Sequence, residues 1–90
     1  MALVYRSHAL QRMFQRRVST EEVRRALATG EDIEDYPYDL PYPGRLVLGD
    51  VDGRLLHIVV ADNAQGLETI VITVYEPDPS LWTTDFRRRR

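Results

Sequence analysis

Asp52-Gly53 stands between two runs rich in leucine, isoleucine and valine, residues 45–51 and 54–62. A two-residue hairpin turn holds its central residues at positive φ, which Asp-Gly tolerates with little strain, so the two runs are predicted to pair as antiparallel strands. Such a turn sets Leu48 opposite His57 and puts Leu46 and Asp50 on the same side. After a turn at 63–66, residues 68–76 give another strand of branched residues that Pro77 and Pro79 stop. Strict alternation groups Leu56, Ile58 and Val60 with Ile70, Ile72 and Val74 on one face. It leaves Leu55, His57 and Val59 with Thr69, Val71, Thr73 and Tyr75 on the other. Residues 32–36 are acidic enough for a sheet edge, where charge discourages unwanted pairing. The stretch 36–44, Y-P-Y-D-L-P-Y-P-G, is too rich in proline for helix or inner strand and reads as a stiff aromatic loop.

Two helices are expected ahead of these strands. Ser7 is the candidate cap of the first, which runs to about Arg16 with Leu10, Met13 and Phe14 as its apolar stripe. His8, Gln11, Arg12, Gln15 and Arg16 fall on the opposite arc. The second starts at a capping box, Ser19 with Glu22, reinforced by a Val18–Val23 staple. Gly30 sits where a left-handed residue would end it. The expected fold is therefore α+β, with two N-terminal helices packed on one face of a three- to four-stranded antiparallel sheet in the order ααββββ. One domain over 1–86 and a disordered arginine tail over 87–90 complete the expectation, since 90 residues build one core.

Composition narrows the function classes. With no cysteine, disulfides and thiolate zinc sites are out, and the core must supply stability by burial. The apolar runs are too short to span a membrane and no signal peptide leads the chain, so a cytoplasmic location without membrane attachment is expected. All twelve basic residues are arginine, and the net charge of −2 conceals a polarity of +4, −5 and −1 over successive thirds. That balance argues against non-specific nucleic-acid binding while allowing a local basic patch. No metal or cofactor is expected: the two histidines lack a partner at ligand spacing, and no acidic calcium loop or glycine-rich phosphate loop occurs.

The candidate chemistry lies in few residues. His57, mid-strand among aliphatic neighbours, is either a general acid–base group tuned by partial burial or a hydrogen-bonded packing residue. His8 is either a base or a surface residue. Arg12 and Arg16, one turn apart, suit a phosphate or carboxylate, or pair with the acids of 31–39. Tyr75, on the same sheet face as His57, is a phosphate donor or stacking group, or simply packs, and Tyr36, Tyr38, Tyr42 and Trp82 add flat surfaces of the kind single strands use.

Three stretches carry a family resemblance: S-H-A-L-Q-R-M-F-Q-R-R-V-S at 7–19, G-R-L-V-L-G-D-V-D-G-R-L-L-H-I-V-V at 44–60, and I-T-V-Y-E-P at 72–77 with Trp82 following. They resemble the small bacterial proteins grouped as domain of unknown function 4258, a family that looks related to RelE-like and BrnT-like toxins of type II toxin–antitoxin systems. The resemblance implies a metal-independent endoribonuclease in which a ribose 2′-hydroxyl attacks its neighbouring phosphate. Its partners would be RNA, including ribosome-associated mRNA, and a cognate antitoxin. On that reading His57 or His8 is the base, Tyr75 a donor, and Arg12, Arg16 or Arg45 holds the phosphate. Alternation sets Arg45 on the helix side, away from His57, unless a bulge turns it. The alternative is a non-catalytic protein-interaction or homodimerisation domain whose open sheet face docks a partner or another copy.

Overall fold

The computed structural model describes residues 2–90, in the order β1 (Ala2–Tyr5), α1 (Ser7–Arg16), α2 (Thr20–Thr29), β2 (Glu31–Tyr36), β3 (Gly44–Val51), β4 (Arg54–Asn63) and β5 (Glu68–Tyr75). The strands form one sheet ordered β1-β5-β4-β3-β2, in which β1 lies parallel to β5 and the other neighbours are antiparallel. This overturns the expected antiparallel sheet of three or four strands: the sheet is mixed and five-stranded, and the order is βααββββ. Four residues leading into a helix carry too little periodicity to be read as a strand. β1 is a strand because β5 offers it a ladder some 66 positions along the chain, with Ala2 opposite Glu68.

Local signals are obeyed where they are strong. Asp52 and Gly53 turn the β3–β4 hairpin at φ of 54° and 87°, and Leu48 pairs with His57. Both hydrogen bonds of the Ser19–Glu22 capping box form, at 2.9 and 3.0 Å, and Val18 and Val23 are buried around it. α1 instead opens at Arg6 with no side-chain cap, Ser7 being its first helical residue. Gly30 closes α2 in extended conformation, not left-handed.

Both helices cover one face, α1 over β5 and α2 over β3. The core between them joins Ala9, Met13, Val23 and Ala26 to Val47, Val51, Leu56, Ile58, Val60, Val71 and Val74. Two departures from the expected patterns arrange the faces. The register of β4 against β5 slips between Val59 and Val60, so Val71 pairs with Val60 and Ile70 with Ala61. Thr69 and Val71 thereby turn under the helices while Ile70 leaves, contrary to the two-residue rule. In α1 the stripe that goes inward is Ala9 and Met13. Leu10 stays 46% exposed and Phe14 87% exposed. A methyl side chain at Ala9 brings the helix close to the sheet, and this rotates the larger apolar groups out to the flank.

The second face of the sheet is not open. Past β5 the chain crosses it and doubles back, with Thr83 donating to the Arg88 carbonyl at 2.8 Å and Arg90 to that of Leu81 at 2.9 Å. This strap, residues 77–90, buries Trp82 against the sheet at 2% exposure.

Candidate functional site

His57 points from the centre of β4 to the strap side and is 0% exposed, with Leu48 and Tyr75 as its ladder neighbours. Its Nε2 lies 2.9 Å from the Phe86 carbonyl oxygen. A carbonyl only accepts, so Nε2 carries the hydrogen and Nδ1 is left to accept from the Tyr75 hydroxyl at 3.2 Å. The Trp82 ring stands edge-on at 4.4 Å and that of Tyr75 at 5.2 Å. Burial pushes the imidazole pKa below its ordinary value, against the pull of the Phe86 carbonyl and the Glu34 charge, while the Arg89 cation lowers it further. The ring is neutral and has both nitrogens engaged.

A polar cluster surrounds it. The β2 register slips between Asp32 and Glu34, which sets both Glu31, opposite Leu48, and Glu34, opposite Leu46, on the strap face. Glu34 accepts from the Tyr36 hydroxyl at 2.5 Å and from Arg89 at 3.1 and 3.2 Å. Burial alone would raise the Glu34 carboxyl, but these bonds outweigh it and hold the group below the usual carboxylate range. The Tyr36 phenol is pushed up to about 12 by burial and by the carboxylate it serves. Burial likewise raises Tyr75. Arg89 lies 4.6 Å over the Trp82 ring, and Arg87 pairs with Glu31.

The residues expected to act together are divided between two sides of the sheet. His57 and Tyr75 meet under the strap. His8, Arg12 and Arg16 lie on α1, with the sheet between them and His57, and all three are exposed. Spaced at i, i+4 and i+8 they line one flank of the helix, and their side chains make no hydrogen bond or ion pair among the described residues. Of the acids of β2, Glu31, Asp32 and Glu34 are held by Arg87, Arg45 and Arg89 instead. Arg45 lies on the helix face, clamped by Asp32 at 2.9 Å and by Asp62 at 2.9 and 3.4 Å. On the other flank of α1, Ser7, Leu10, Gln11, Phe14 and Gln15 shape a shallow groove of about 450 Å³.

Glu34, Arg89 and the Phe86 carbonyl carry no sequence signal that would have placed them beside His57. Glu31 and Glu34 share a face only through a bulge, and Arg89 arrives from 55 residues away.

Among the described residues no group of three or more histidine, aspartate or glutamate side chains is placed to hold a metal ion, and no helix is long and apolar enough to cross a membrane. Residues 5–76 match the family profile described as Domain of unknown function (DUF4258). The chain belongs to this family. The DUF4258 region thus holds His8, Arg12, Arg16, Arg45, His57 and Tyr75, whereas the strap that seals His57 lies beyond it. No curated protein and no solved structure matches the chain.

Proposed function

We propose that this DUF4258 domain is a protein-interaction module that docks its partner on α1, with His57 serving to hold the strap rather than to react. The observation that carries the reading is the contrast between the two sides. The imidazole is fully buried with both nitrogens occupied, while α1 presents an unpaired cationic flank beside an apolar groove. Arg6, Arg12, Arg16, Arg17 and Arg24, all on or beside the helices, make no ion pair among the described residues, so the helical layer carries uncompensated positive charge. Covering a phenylalanine as exposed as Phe14 is worth ~1.5–3 kcal/mol. The complementary partner is a protein segment with an apolar anchor rimmed by carboxylates.

The test uses a synthetic amphipathic helix with leucines on one face and glutamates on the other, titrated into isotope-labelled protein. Shifts confined to Ser7–Arg16, and binding lost in Phe14→Ser and in Arg12→Glu, support the module. Binding indifferent to both substitutions defeats it.

A second reading, the toxin-type endoribonuclease acting by 2′-hydroxyl transesterification, draws on the same exposed row of His8, Arg12 and Arg16, where a base and two phosphate-binding groups face solvent together. It has to proceed without the buried pair, because the guanidinium whose charge acts on His57 is that of Arg89, which leaves with the strap that must lift to admit RNA. The toxin partner would be an antitoxin covering α1. RNA cleavage by the pure or ribosome-bound protein, abolished by His8→Ala and Arg12→Ala, selects this reading over the first.

A further inference from the structure

The strap is attached to the domain in an unusual way for a terminal segment. It begins where the DUF4258 match ends, after Glu76, and the central core contains no residue beyond Val74. What holds it down is a set of discrete contacts: Trp82 seated against His57, the Phe86 carbonyl on Nε2, Arg87 on Glu31, and Arg89 on Glu34. The receiving side is already complete within β2–β5. A bulge aligns two carboxylates at the sheet edge, and His57 and Tyr75 make the aromatic floor. An aromatic anchor in a buried seat with charged contacts at its rim is the anatomy of a peptide-binding site.

We infer that the helix-free face is a binding site for an extended segment carrying an indole followed five and seven residues later by arginines, filled in cis by Trp82, Arg87 and Arg89 and open to the same segment of a second copy. The hinge, Pro77-Asp78-Pro79, is short and stiff, and such hinges favour exchange of a terminal element between protomers. The trans complex remakes every contact of the cis complex, so concentration alone decides between them.

The experiment uses the full chain and a fluorescein-labelled peptide of residues 77–90. Wild type binds it weakly, because its own strap competes at the effective concentration of a short tether. The full-length double variant Arg87→Glu/Arg89→Glu, whose strap is repelled by Glu31 and Glu34, binds the peptide about tenfold more tightly or better. Glu34→Gln in that background weakens it again, and a Trp82→Ala peptide does not bind. A folded double variant that binds no better than wild type overturns the inference. Should that variant fail to fold, wild type decides the matter by sedimentation from micromolar to millimolar concentration. A dimer that excess peptide dissolves supports exchange, whereas no dimer, or one that ignores the peptide, overturns it.

Discussion

Replacing His57 by alanine separates a structural imidazole from a reactive one. The substitution empties the seat beneath Trp82 and strips two groups of their partner, the Tyr75 hydroxyl and the Phe86 carbonyl. A buried polar group left without a partner costs about 1–3 kcal/mol, and loss of an edge-on aromatic contact about 0.5–1.5 kcal/mol. Tyr75 and Phe86 are only partly buried, so water reaches both and the lower values apply. With those lower values the expected loss is about 3 kcal/mol, at the foot of the range for truncating a large buried side chain. Against a total of ~5–15 kcal/mol for a domain of this kind, that is a substantial fraction. With a urea slope near ~1 kcal/mol per molar, the unfolding midpoint falls by ~3 M. Trp82 is the sole tryptophan and touches the imidazole, so its fluorescence reports the seat, while far-UV circular dichroism reports the sheet. His57→Gln restores a donor toward Phe86 and is expected to recover about half the loss. A stability loss read by fluorescence of no more than about 0.5 kcal/mol in His57→Ala, the size expected of a surface site, would refute the argument. So would RNA cleavage by wild type that His57→Gln abolishes at unchanged stability.

Three further outcomes follow from the same geometry. Folding holds His57 below its ordinary pKa of 6.5, so its stabilising effect is complete above that value and is lost as pH falls through the depressed folded value; urea midpoints in that acid window drop for wild type and flatten in His57→Gln. Phe14→Ser changes the stability measured by thermal unfolding little, within about 0.5 kcal/mol, because the ring is exposed, and a large destabilisation would show that it packs inward after all. Gly49→Ala costs about 1–3 kcal/mol in urea, since the added Cβ would lie 2.6 Å from the Ala26 Cβ and 3.0 Å from its Cα on α2, neither of which can move aside easily.

The candidate site was legible in pieces. His57 and Tyr75 share a face by alternation along their strands, and their direct pairing comes from the β4–β5 register. The exposed row of His8, Arg12 and Arg16 follows from helical spacing alone. The outward turn of Leu10 and Phe14 does not, since it depends on how closely Ala9 lets α1 approach β5. The division of these residues between two sides of the sheet was visible only for Arg45, whose helix-side position alternation gives correctly.

Determined by the sequence itself are those features whose cause lies within a few residues: the Asp52-Gly53 hairpin, the Ser19–Glu22 cap, the prolines that end β5 and the absence of cysteine. Decided only in the folded molecule are the parallel β1, the two bulges and the covering of the second face. Each of these rests on partners far apart in the chain, as Arg87 and Glu31 are by 56 residues. Alternation is a property of a regular ladder, and one extra residue in a strand inverts it for everything beyond. That is why local pattern found the imidazole and its phenol, and why only tertiary packing could show that the pair is sealed.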